Sequence, residues 1–180
     1  MKKVLIIAGS PRKNGNSDLL ARQFAKGAEE NGNEVEIVYL RDNKLNYCKG
    51  CLVCLKKGEC FQKDDANSLL PKMMEADVVC FSCPVYYYSV CGQMKVFLDR
   101  MNPLYGKMKD KDFYYMVTAR TMTKSSWTGH SMCLTDLPTA LRTSAAAAAS
   151  MVAVPTKRVK SKTFQPFRRH MNLAKRFDVF

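Results

Sequence analysis

The sequence predicts an α/β fold, a parallel sheet with helices on both faces, and two observations carry that prediction. Short apolar runs rich in Val and Ile alternate four times with segments of helical periodicity between Lys3 and Ala119. The first run, Val4–Ala8, is continuously apolar, as a strand buried on both faces must be. At 180 residues the chain suits one domain with a substantial core, and 47% apolar residues place it among globular proteins.

Each element has a local reason. Val4–Ala8 is bounded by Gly9, and Ser17–Glu30 follows as a helix with Leu20, Phe24 and Ala28 on one face. Ser17 or Asn16 is its expected N-cap, and Asn31-Gly32-Asn33 stops it. Glu34–Leu40 alternates apolar and polar, which suits a sheet edge. A loop of about twenty residues comes next, long enough to imply a role of its own. Asp64–Ala76 reads as a helix interrupted by Pro71, and Asp77–Pro84 as a second buried strand. Gly92–Met101 is a helix with Met94, Phe97, Leu98 and Met101 inward, and Asp112–Ala119 is the fourth strand. Beyond Arg120 no fifth strand is evident, and a last helix is only weakly signalled.

Bulk properties exclude several classes. No apolar run approaches the roughly 18 residues of a membrane span, so a soluble, cytoplasmic protein is expected. Eight cysteines without an export signal point to thiol or metal chemistry rather than a disulfide framework. The net charge of +13 is uneven: residues 1–119 carry 18 Lys+Arg against 14 Asp+Glu, and residues 120–180 carry 11 against 2. Such a basic tail could attract nucleic acid, but its aromatics are sparse and it contains no RNA-binding motif.

Two stretches suggest a ligand. Ligands of open parallel sheets collect at the carboxyl ends of the strands, where Ser10–Ser17 begins. That loop offers backbone amides, the hydroxyls of Ser10 and Ser17, the amides of Asn14 and Asn16, the Arg12 guanidinium and a helix N-terminus, which together suit a phosphate. It has neither the Lys-Ser/Thr of a triphosphate loop nor the glycine spacing of a dinucleotide site. In the same topology Ser82–Val90, "SCPVYYYSV", neighbours it. Pro84 and Val85 offer backbone groups beside a flat wall, and Tyr86–Tyr88 offer aromatic faces. A phosphate cradle beside such a slot suits flavin mononucleotide (FMN), although at least one of the tyrosines is expected to serve only core or surface.

A third stretch, "CKGCLVCLKKGEC", spaces Cys48, Cys51, Cys54 and Cys60 by two, two and five residues. Three thiolates at such short intervals can wrap three corners of an iron–sulfur cubane. Zinc, usually held by two separated pairs, and plain thiols are the alternatives. Cys80, Cys83, Cys91 and Cys133 read as core or incidental residues.

The segments "KVLIIAGSPRKNGNS", "C-x-x-C-x-x-C…DD", "ADVVCFSCPVYY" and "QMKVFLDRMNPL" together resemble the flavodoxin-like NAD(P)H-dependent FMN reductases, nearest the iron–sulfur flavoprotein branch, over residues 1–119. The resemblance implies a doubly wound parallel sheet of order 2-1-3-4-5 with FMN at the strand ends. It implies that Ser10, Arg12, Asn16 and Ser17 hold the FMN phosphate and that Pro84, Val85, Tyr86 and Tyr87 line the isoalloxazine. It implies a [4Fe–4S] cluster on the cysteine run, NAD(P)H as co-substrate and a homodimer or higher homo-oligomer. The acceptor would be a small molecule such as a quinone, or a redox protein. A non-catalytic flavin and iron–sulfur electron carrier is the alternative. No acid–base side chain is demanded by flavin chemistry, in keeping with only two histidines.

Residues 120–180 lose charge balance, texture and resemblance together, as in a slipped reading frame; a divergent basic tail is the alternative. If each true codon joins the third base of one residue to the first two of the next, Met151-Val152 encodes Gly, Met171-Asn172 Glu and Trp127-Thr128 Asp. From Ser150 the shifted frame can read Tyr-Gly-Gly-Gly-Ala-Tyr-Gln-Lys-Gly-Glu-Ile-Lys, much like the loop that leaves the family's fifth strand. The coding DNA is expected to restore that ending one base out of register, and a shifted frame without it refutes the slip. Residues 120–180 are then expected to pack poorly and to be cut readily by protease.

Overall fold

The structure, a computed structural model, describes residues 1–87 and 89–119 and the backbone of residues 151–155. Strands β1 (Lys3–Ala8), β2 (Glu34–Tyr39), β3 (Val78–Tyr86), β5 (Asp112–Ala119) and β6 (Met151–Pro155) pair in the order β2-β1-β3-β5-β6. All four pairings in that path are parallel. The two-residue strand β4 (Ser89–Val90) folds back antiparallel on the end of β3. Helices α1 (Asn16–Glu30), α2 (Val53–Lys57), α3 (Ala66–Glu75) and α4 (Gly92–Asp99), with 3-10 turns at Leu40–Asp42 and Asn102–Leu104, complete the described elements. Among the described residues no helix is long and apolar enough to cross a membrane.

The continuous apolar run of β1 is explained by burial on both sides. Val4, Ile6 and Ala8 pack with Leu20, Ala21, Ala25 and Ala28 of α1, while Leu5 and Ile7 face Leu69, Leu70 and Met73 of α3. Successive side chains alternate faces, so every one must be apolar when helices cover both. On the second face Phe81 stacks against Phe113 and Tyr115, with ring centroids 6.4 and 5.9 Å apart.

Three expectations are corrected. Helix α1 begins at Asn16 with Gly15 as N-cap, and neither Asn16 nor Ser17 caps it. Pro71 lies inside a continuous α3, because burial of Leu69, Leu70 and Met73 offsets the missing N–H. A fifth parallel strand does exist: β6 sets Met151 opposite Tyr115 and Pro155 opposite Ala119. Its "MVAVP" has strand chemistry, but the alanine tract before it and its five-residue length hide it in the sequence. The expected last helix, the packing of the rest of the tail, Tyr88 and Cys133 lie outside the described residues.

Candidate functional site

A cleft of about 650 Å³ opens at the carboxyl ends of β1, β3 and β5. Ser10, Arg12, Lys13, Asn14, Gly15, Asn16 and Ser17 form one wall, Pro84, Val85 and Tyr86 the second, and Thr118 and Ala119 the floor beyond. The size falls within the range of cofactor clefts. The first wall is rigid: Ser10 Oγ donates to the Arg12 carbonyl at 3.0 Å and accepts the Arg12 amide at 3.2 Å. Asn14 turns the chain with a φ of 58°. Its amide donates to Asp18 Oδ2 at 3.1 Å, and its side-chain oxygen accepts from Arg22 at 2.7 Å. A Cβ on Gly15 would stand 3.1 Å from Ser10 Oγ, so a side chain there would have to push the Ser10 hydroxyl aside by a few tenths of an ångström.

Helix α1 makes no side-chain cap hydrogen bond, which leaves its first amides, from Asn16 onward, without intrahelical acceptors at the cleft. Beneath them the buried Asp18 carboxylate pairs with Arg41 at 2.8 Å, and the same Arg41 nitrogen donates to the Ser10 carbonyl at 3.3 Å. The first-turn acid is thereby neutralised from behind. Arg12 is exposed and makes no ion pair among the described residues. Free amides, a helix dipole and an unengaged guanidinium make this end of the cleft anion-receptive.

Seven of the eight residues expected at the flavin line this cleft; the exception is Tyr87. Tyr87 stands at the tip of the β3–β4 hairpin with a φ of 46° and is 96% exposed. Sequence reasoning missed Thr118 and Ala119. Their signal was positional: β5 ends beside β3, with Thr118 opposite Pro84.

The cysteine run occupies a loop whose neck is tightly closed. Arg100, only 2% exposed, forks its guanidinium onto Asp64 at 2.5 and 2.9 Å and donates to the Asn46 carbonyl at 2.8 Å. Asp64 also accepts the amides of Asn46 and Ala66 at 2.8 and 3.2 Å. One rung further out, Asp65 accepts the Lys44 amide and returns its own amide to the Lys44 carbonyl. Burial pushes the Asp64 carboxyl up, but the Arg100 hydrogen bond and charge with the two amides outweigh it and hold the group below its ordinary value. Arg100 and Asp64 stood in the quoted motifs, yet nothing in the sequence joined them.

Within the loop Cys48 and Cys51 are exposed, Cys60 is half-buried beside the Arg100 guanidinium, and Cys54 is buried. Among the described residues no three His, Cys, Asp or Glu side chains stand close enough together to hold a metal ion. The thiol set has the chemistry for an iron–sulfur cluster, but its arrangement is not that of an assembled coordination sphere. Cys80, Cys83 and Cys91 are fully buried in the core, as expected.

Comparisons with known proteins agree with the fold. An iron–sulfur flavoprotein of Archaeoglobus fulgidus is 48% identical over 101 residues, 56% of this chain and 46% of its own length. One from Methanocaldococcus jannaschii is 43% identical over 102 residues, 57% of this chain and 53% of its own. The chain thus spans about half the length of the curated relatives it matches. An FMN-dependent NADH-azoreductase of Bacillus anthracis, solved with FMN, superimposes with a TM-score of 0.74 at 13% identity, covering 98% of this chain and 99% of that one. An NAD(P)H:quinone oxidoreductase of Methanothermobacter marburgensis gives 0.72 at 15% identity, covering 97% and 96%. At such identities these two establish a shared flavodoxin-like fold. The profile of the family described as NADPH-dependent FMN reductase matches residues 2–165, and the chain belongs to that family.

Proposed function

We propose that the chain binds FMN in this cleft and oxidises NAD(P)H, passing the electrons to a small acceptor such as a quinone or to a redox protein. The observation that carries the reading is one juxtaposition: an uncapped helix N-terminus with Arg12 faces the wall of Pro84, Val85 and Tyr86 across the strand ends. Ser10, Arg12, Asn16 and Ser17 hold the phosphate; Pro84, Val85 and Tyr86 line the isoalloxazine. Bound flavin supplies the hydride chemistry, and the chain supplies orientation, charge and exclusion of water. Family membership and the FMN-containing azoreductase support the cofactor. A homodimer with the flavin near its interface belongs to the same reading.

Steady-state turnover of FMN-loaded protein with NADH or NADPH and a quinone or ferricyanide tests the activity. Saturable oxidation of the nicotinamide is expected. A flavin that dithionite reduces but neither nicotinamide does would make the protein a non-catalytic electron carrier.

A second reading gives the cysteine loop a [4Fe–4S] cluster on Cys48, Cys51, Cys54 and Cys60. It is favoured by their spacing and by relatives named iron–sulfur flavoproteins. The loop must then draw its sulfurs together on binding, as metal sites coupled to local folding do. Cys51→Ala is expected to abolish iron and acid-labile sulfide in anaerobically prepared protein while leaving the flavin absorbance, because the two sites use different loops. Wild-type protein with neither iron nor sulfide ends this reading.

A further inference from the structure

The anion-receptive end of the cleft contains an acid as well as its donors. Asp18 stands in the first turn of α1 with its side chain 1% exposed. Its Oδ2 accepts the Asn14 amide at 3.1 Å and so pins the left-handed turn at Asn14, whose φ is 58°. The carboxylate thus shapes the loop. Its charge, however, repels any phosphate held by the same helical turn and offsets the dipole that would attract one. Loop shape and ligand charge make contrary demands of this one residue.

Arg41 meets the second demand from a different strand. β2 lies beside β1 with Tyr39 opposite Ala8, and the turn Leu40–Asp42, anchored by the buried Leu40, carries Arg41 in behind the loop. Its Nη1 donates to Asp18 Oδ1 at 2.8 Å and to the Ser10 carbonyl at 3.3 Å. The guanidinium lies over the Tyr39 ring, 4.2 Å from the centroid, and the side chain is only 13% exposed. Asp42 stands 3.9 Å from Arg41 Nε but is more than half exposed, so solvent screens it. Arg22 bonds the Asn14 side chain, and Lys13 lines the cleft itself. Among the described residues Arg41 is the only cation paired with Asp18. Neither Asp18 nor Arg41 lines the cleft, so each acts on a ligand through the loop and through its charge.

We propose that Arg41 is a positioning residue that sets the preference of the cleft for a phosphorylated flavin over the bare one, a role that rests on the FMN reading above. Paired, Asp18 and Arg41 present no net charge to the phosphate. Without Arg41 the phosphate meets a buried carboxylate where solvent screening is weak. A flavin that carries no phosphate meets no such repulsion. Arg12 differs in role: it faces the cleft and offers its charge directly.

Full-length protein and its variants are titrated with FMN and with riboflavin by flavin fluorescence, and circular dichroism melts verify that each variant is folded. Arg41→Met is expected to raise the FMN dissociation constant about tenfold and to move that of riboflavin less than about twofold. Arg41→Lys keeps the charge and should keep the preference for FMN. Asp18→Asn removes the charge but leaves an oxygen for the Asn14 amide, so it should tighten FMN about threefold and leave riboflavin unmoved. In Asp18→Asn/Arg41→Met the pair is neutral again, and FMN affinity should return to within about twofold of the wild type. Equal losses of both flavins in Arg41→Met, or a double variant no better than Arg41→Met, make Arg41 a strut for the loop and overturn the proposal. Should Arg41→Met fail to fold, Asp18→Asn decides: FMN binding that is unchanged or weaker overturns the proposal. Wild-type protein that binds neither flavin removes the FMN reading and this role with it. Wild-type protein that prefers FMN beside unresponsive variants overturns the role of Arg41 alone.

Discussion

Replacing Arg100 by Met is expected to lower the unfolding free energy by about 3–5 kcal/mol, the cost of leaving a buried carboxylate without its partner. The guanidinium is the only cation paired with Asp64 among the described residues, and both side chains are almost wholly buried. Urea denaturation followed by circular dichroism measures the loss. Asp64→Asn should be milder, because the amide still accepts some of the hydrogen bonds that close the loop neck. The double variant Asp64→Leu/Arg100→Met should recover much of the stability, since an apolar pair strands no charge. A single variant within about 0.5 kcal/mol of the wild type would show that the neck is not held by this pair.

The same pair predicts an acid limit. The Asp64 carboxyl lies below its ordinary value of 3.8 in the folded protein. Its contribution is therefore fully present above the unfolded value and is lost as pH falls through the lower folded value. Stability should thus drop below about pH 4, and the drop should shrink in the Asp64→Leu/Arg100→Met variant.

Arg12→Ala is expected to weaken FMN binding by about ten- to a hundredfold, the scale of one charge-assisted hydrogen bond of roughly 1.5–3 kcal/mol. Riboflavin, which lacks the phosphate, should bind the variant nearly as well as it binds the wild type. Flavin fluorescence titration gives both constants. An equal loss for both ligands would move Arg12 away from the phosphate and onto the ring or ribityl chain. Salt should weaken FMN more in the wild type than in the variant, because Arg12 is exposed and its charge is screened.

Much of this was legible in the chain because it is local. A strand covered on both faces must be apolar at every position, so Val4–Ala8 declared its place before any contact was known. The phosphate-receptive loop was legible too, since its donors lie within eight consecutive residues at the head of a helix. The wall of Pro84, Val85 and Tyr86 was one step harder, requiring the rule that places the ends of parallel strands together. The order of the four longer strands and the three longer helices before Arg120, and most helix faces, followed from periodicity alone.

What the sequence could not determine is what depends on pairing across distance. Asp64 and Arg100 lie 36 residues apart, and only the packing of the loop neck beside α4 turns two ordinary surface-type residues into a buried clamp. Thr118 and Ala119 joined the cleft through sheet register, and β6 became a strand because β5 offered it an open edge. The N-cap moved to Gly15 because Ser17 is buried, its carbonyl accepting the Ser82 hydroxyl at 2.9 Å. Cys83 and Cys91 read as core or incidental residues, and both are buried in the core. Local chemistry specifies which residues can serve a site; the three-dimensional path of the chain decides which of them meet.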